Sequence, residues 1–158
     1  MAGMSVTKLV GVVRESLENR ASRQAVVKSG AASRKYVRKF RNKAFIDPRL
    51  DMYLRVASAT GVVVVGFGRL LSSVDVWRAS VRDQCEYAYG SLTAFTRTSA
   101  VVPHTSLYGW VVGDHCPRLS QALKVTVALG HSLCARSGSS SGSNGGARIE
   151  KLFSTKTG

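Results

Sequence analysis

Near the start of the chain, Val6, Leu9, Val10, Val13 and Leu17 recur at three- and four-residue steps. That spacing marks one face of a helix, and Ser5 ahead of it suits a helix N-cap, so residues 5–29 are predicted helical. Gly30 interrupts. A second helix is predicted over 32–44, with Tyr36, Val37, Phe40 and Ala44 on one side and basic residues over the remainder. Asp47-Pro48 closes it, because the residue before a proline is biased out of helix.

Beyond Pro48 the pattern shortens. Valine dominates, and short apolar runs alternate with turn residues about ten positions apart, the mark of a sandwich or barrel. Strands are predicted at 52–58, 61–71, 74–81, 91–98, 106–112 and 122–129. In the last, Leu123, Val125, Val127 and Leu129 alternate with Lys124, Thr126 and Ala128, a period of two. Val62–Val65 are four consecutive β-branched residues, suited to a strand buried on both faces. Turns are expected at 66–68, 72–73, 89–90, 103–105, 113–114 and 130–131. One stretch is ambiguous: from 74 to 95, Val74, Trp77, Val81, Cys85, Ala88, Leu92 and Phe95 also follow helical spacing, with Ser73 as a cap. The fold class this predicts is mainly β, a jelly-roll-like sandwich of short antiparallel strands preceded by an α-helical basic arm.

Charge sharpens the division. The 158 residues carry 23 basic and 9 acidic side chains, a net +14, and are 44 % hydrophobic. That is enough apolar material for one domain with tails, and the field attracts polyanions. The surplus is uneven. Residues 1–46 hold eleven Lys and Arg against Glu15 and Glu18, whereas 47–135 hold eight against six acids. The organisation expected is a basic arm (1–46), a β-rich core (47–135) and a Gly/Ser tail (136–158) too polar to order itself. Ile149, Leu152 and Phe153 near the end of that tail are either a short docking motif or a frayed end. No secretory signal is expected. The run at 56–68 is too short to span a bilayer, so no transmembrane segment is predicted and the run is read as core.

The densest charge is at 34–43, where Arg34, Lys35, Arg38, Lys39, Arg41 and Lys43 occur without an acid. Six cations on single-stranded RNA would give a salt slope of roughly −4. Tyr36 and Phe40, one turn apart, either stack on unpaired bases or anchor the arm to the body. These eight residues are the candidate RNA-binding set. A membrane-surface helix fits less well, since the apolar side is narrow and lacks tryptophan.

All cysteines and histidines lie between 85 and 134. Cys116 and His131-x-x-Cys134, with Cys85, could form a tetrahedral zinc site, although the spacing is that of no standard finger; buried strand cysteines are the plainer reading, and no metal or other cofactor is assigned. The acids are scattered singly, and there is no phosphate loop, nucleophile elbow or dinucleotide fingerprint. No catalytic residue is assigned and no enzyme is expected.

Within 58–130 the order of short motifs resembles the thirty-kilodalton superfamily of plant-virus movement proteins. The carriers are the glycine-bearing apolar strand Gly61–Gly68, "VDVWRASVRD" ending in Asp83, Gly90-Ser91, Val101-Val102-Pro103, and Cys116-Pro117 ahead of "LKVTVAL". Gln84-Cys85 follows the aspartate where the family has an Arg-Met-like pair. The resemblance implies a jelly-roll-like fold, cooperative single-stranded RNA binding, homo-oligomers and peripheral association with plasmodesmata from the host cytoplasm. Asp83 would then be structural or partner-contacting; a turn-capping role is the simpler alternative. Three other readings share the charge: a small jelly-roll coat protein packaging RNA in a virion, an RNA-silencing suppressor and an organellar ribosomal protein.

Overall fold

In the computed structural model, residues 3–42 and 47–138 are described. The N-terminal helices form where the spacing places them. Ser5 Oγ accepts from the Lys8 N–H (3.3 Å) to open α1 (Val6–Ser16). The expected helix then breaks at Asn19, whose side-chain Oδ1 accepts from the Ala21 N–H (2.8 Å) and starts α2 (Arg20–Lys28). Gly30, at φ 80°, ends that helix. Ser33 opens α3 (Arg34–Arg41) by accepting from the Tyr36 N–H at 3.1 Å.

The mainly-β expectation is overturned. After Pro48 the chain forms α4 (Leu50–Ala59), β1 (Val62–Gly66), β2 (Arg69–Leu70), α5 (Val74–Tyr89), α6 (Leu92–Ser99), α7 (His104–Val111), α8 (Leu119–Ala128) and β3 (Leu133–Ser137). The described residues thus hold eight helices and one small antiparallel sheet of order β2-β1-β3, not a jelly roll. Only the 61–71 stretch forms strands as expected. Its turn, Phe67-Gly68, has positive φ at both positions (55° and 70°), which suits a two-residue hairpin between right-twisted strands. The valines are not buried on both faces: Val62 and Val64 point into the core, while Val63 and Val65 are half-buried.

The alternating segment 122–129 shows why the other strands fail. Its buried residues in α8 are Leu119, Ala122, Val125 and Thr126, a helical stripe, and Val127 is 57 % exposed. A cap from far along the chain fixes the choice. The Asp47 carboxylate accepts from the Ser120 N–H (2.9 Å) and hydroxyl (2.6 Å), satisfying two donors at the helix start. The ambiguous 74–95 stretch is helical and is divided at left-handed Gly90. Asp83 sits exposed in the middle of α5 rather than at a turn.

Residues 3–42 pack into the same core as the rest of the described chain. Leu9, Val10, Val13 and Leu17 of α1, and Val37 and Phe40 of α3, belong to the same buried cluster as Tyr53, Trp77, Phe95 and Val125. The Tyr53 hydroxyl donates to the Leu9 carbonyl, and the Trp77 indole N–H donates to Thr126 Oγ1 (3.1 Å). The tail expected from 136 begins as strand, because Arg136 and Ser137 end β3; residues 139–158, with Ile149, Leu152 and Phe153, lie outside the described residues.

The architecture repeats internally. Pro48-Arg49-Leu50, Leu54, Val56, Ala59 and Gly61 recur 69 positions later as Pro117-Arg118-Leu119, Leu123, Val125, Ala128 and Gly130. Buried Leu9, Val13 and Leu17 of α1 correspond to Trp77, Val81 and Cys85 of α5; Val37 and Phe40 of α3 correspond to Leu107 and Trp110 of α7. Each half therefore runs through four helices into a strand. The halves clasp reciprocally. The Leu50 N–H donates to Pro117 O (2.9 Å) and the Leu119 N–H to Pro48 O (2.8 Å). Cys116 Sγ accepts from the Asp51 N–H (3.4 Å) as Asp47 does from Ser120. β1 and β3 pair antiparallel about Val64 and Ala135. These are the contacts an approximate twofold axis between the halves produces.

Candidate nucleic-acid interface

Docking of α2 through Val26 and of α3 through Val37 and Phe40 fixes which sides of these helices face outward. The outward stripe of α2 is Arg20, Arg23, Gln24, Val27 and Lys28; that of α3 is Arg34, Arg38 and Arg41, with the buried Val37 lining the space between the two helices. Both follow i, i+3, i+4, i+7 spacing, so each forms a row along its helix. The two rows line one groove of about 760 Å³. Six of its nine lining residues are cationic and none is acidic.

Arg23 already has a structural task, since its Nη1 donates to Leu17 O (2.9 Å) and Glu18 O (2.8 Å) and finishes α1. Arg20, Lys28, Arg34, Arg38 and Arg41 form no ion pair among the described residues. The four ion pairs there are Arg49–Asp51, Arg55–Asp51, Arg78–Asp75 and Arg82–Glu86. The first turns of α2 and α3 contain no acid, and Arg20 and Arg34 occupy their first positions, at the positive ends of the helix dipoles. Arg34 and Arg38 also repel at i, i+4. An anion in the groove relieves all three costs.

The eight sequence-predicted residues separate. Arg34, Arg38 and Arg41 line the groove. Lys35 and Lys39 are exposed on α3 outside it. Tyr36 is half-buried at 6.3 Å from the Phe40 ring, with its phenol pKa raised by burial and then by Asp51. Phe40 is 0 % exposed and offers no face to a base, so its role is the anchoring one. Lys43 lies outside the described residues. Sequence reasoning missed Arg20, Arg23, Gln24 and Lys28. Their helical spacing is the signal that marks them, since their charge density along the chain is low.

Cys85 lies on α5, Cys116 ahead of α8, Cys134 on β3 and His131 against Phe67 (4.9 Å between ring centroids). The described residues contain no group of three or more His, Cys, Asp or Glu placed to hold a metal ion. Burial, then Glu86, push the Cys85 thiol up to about 11, and burial raises Cys116, so both favour the protonated form over a metal-binding thiolate. The 56–68 run divides between α4, β1 and the β1–β2 turn, with Val56, Ala57, Val62 and Val64 in the core. No helix among the described residues is long and apolar enough to cross a membrane. Comparison with known proteins returns no match to a family model, a curated protein or a solved structure.

Proposed function

We propose that the protein is a non-enzymatic nucleic-acid binder that holds the phosphate chain of single-stranded RNA in the α2–α3 groove. The observation carrying this reading is the groove lined by no acid, five of whose cations form no ion pair among the described residues. Cations of this kind neutralise phosphates and release condensed counterions. Five of them on a single strand give a salt slope of about −3.5, at about −0.7 per phosphate.

The test is the triple substitution Arg34→Gln, Arg38→Gln, Arg41→Gln, with affinity for a single-stranded oligonucleotide followed across salt concentration. The expected slope is shallower by about 2. An unchanged slope moves the binding site elsewhere. Cell-to-cell movement and RNA packaging are two uses of one grip; irregular coating of strands supports the first and uniform closed shells the second.

A second reading has its own observation. Two short helices joined through left-handed Gly30 share the layout of a helix-turn-helix, and α3 bears cations outside the groove as well, at Lys35 and Lys39. On that reading α3 enters the major groove of duplex DNA, about 12 Å wide. Preference for duplex DNA over the single strand at equal salt selects it.

A further inference from the structure

The internal repeat gives the groove a counterpart. Seventy positions after left-handed Gly30 comes left-handed Ala100, and Ala32, Val37 and Phe40 correspond to the buried Val102, Leu107 and Trp110. The backbone is kept and the chemistry is not. Thr93, Thr98, His104, Tyr108 and Val111 stand where the first half has Arg23, Lys28, Arg34, Arg38 and Arg41. In a chain of net charge +14, α7 carries no Lys, Arg, Asp or Glu.

A cleft of about 440 Å³ remains there, lined by Thr96, Arg97, Val101, Val102, Pro103 and His104, with Ala100 at the turn. That volume lies within the range of small-ligand sites. His104 and Tyr108, one turn apart on α7, are both exposed, with ring centroids 5.9 Å apart and Tyr108 51 % exposed. The imidazole is oriented. The Thr96 hydroxyl donates to Thr93 O (3.0 Å), so its oxygen is left to accept from His104 Nδ1–H (3.3 Å). In the neutral ring this makes Nε2 an outward acceptor. Arg97, exposed at the same cleft, adds one guanidinium.

We propose that this cleft, together with the exposed Tyr108 ring beside His104, is a stacking site for an unpaired nucleobase: Tyr108 supplies the ring face, His104 Nε2 accepts from an exocyclic amine at the edge of the base, and Arg97 holds the adjoining phosphate. The choice of ligand rests on the reading of the α2–α3 groove as a nucleic-acid site. Exposed rings take any base by its π-face, and stacking lacks the steep salt dependence of phosphate contacts. The aromatic platform that the sequence suggested at Tyr36 and Phe40 thus belongs to the other half.

The experiment uses the full chain with two probes, a short oligoadenylate and inorganic polyphosphate, in low salt and in about 0.5 M salt, where phosphate contacts are weak. Tyr108→Ala lowers oligoadenylate affinity about tenfold in high salt and leaves polyphosphate binding unchanged. Tyr108→Trp retains binding, and the new indole is quenched on titration. Unchanged oligoadenylate affinity in Tyr108→Ala overturns the proposal, as does an equal loss of polyphosphate. A change in sedimentation mass also overturns it, because the face would then join two copies. The Arg34, Arg38, Arg41 triple variant reports separately. If it keeps its polyphosphate affinity the groove reading fails, whatever Tyr108→Ala does.

Discussion

The α2–α3 and α6–α7 surfaces share a backbone plan and differ in nearly every outward side chain. Both helix pairs turn through a left-handed residue, Gly30 or Ala100, and both anchor the third helix of their half with a large buried aromatic, Phe40 or Trp110. In each half an arginine of the first helix closes that third helix: Arg14 Nε donates to Phe40 O (3.0 Å) and Arg78 Nε to Trp110 O (2.7 Å). Since the second half folds without a row of cations, the first half does not need its row to fold. Arg23 apart, which finishes α1, the row is thus not required by the shared backbone plan, and the proposed phosphate contact is the reading that accounts for it.

The comparison breaks most readily in the core. Phe40→Ala and Trp110→Ala are each expected to destabilise by about 3–5 kcal/mol, read as urea midpoints. If the halves are one cooperative unit, each variant shifts a single transition. A Phe40→Ala protein of normal stability and weakened RNA affinity would instead make Phe40 a contact residue. The groove charges come next. The Arg34, Arg38, Arg41 triple variant is expected to keep wild-type stability to within about 0.5 kcal/mol, as surface substitutions do, while its affinity falls. Conversely, His104→Arg with Tyr108→Arg should steepen the polyphosphate salt slope by about 1.4, at about 0.7 per added contact.

The clasp separates the halves more finely. Asp47→Ala removes a carboxylate cap from α8 and should cost about 1 kcal/mol. Cys116→Ala removes only a weak sulfur acceptor at 3.4 Å from α4 and should cost less. Equal losses would show that geometry, not acceptor chemistry, decides the cap. A further difference shows at alkaline pH. Cys85 stands where the first half has Leu17, and its thiol is raised to about 11 by burial and then by Glu86. A raised pKa means that the fold holds the neutral form. Its contribution is full below the ordinary value near 9 and is lost as pH rises through about 11. Urea midpoints should be flat to about pH 9 and then fall, and Cys85→Val should flatten that first decline. Cys116, Tyr36 and buried Tyr53, all raised chiefly by burial, account for the decline that remains.

Local signals were legible where one residue decides a local outcome. Ser5 as a cap, Gly30 and Gly90 as breaks, and the hairpin at 66–68 can all be read from neighbours along the chain. The remainder turned on distant partners. Leu123, Val125, Val127 and Leu129 alternate well enough for a strand, and what makes the segment a helix includes a carboxylate 73 residues away. β3 went unrecognised because its edge is defined by β1. Half of the groove's cations were visible as a dense run on α3. The other half lay on α2 at helical intervals, where density is low and spacing carries the information. The repeated Pro-Arg-Leu was present in the sequence, but its meaning rests on the Pro48–Pro117 clasp.

The pairing of β1 with β3 sets a schedule for synthesis. Gly66 finds its partner Leu133 only after 67 further residues have been made, which takes about 3–13 s at ribosomal speeds of about 5–20 residues per second. During that interval the nascent first half presents an unmatched valine edge beside its row of arginines.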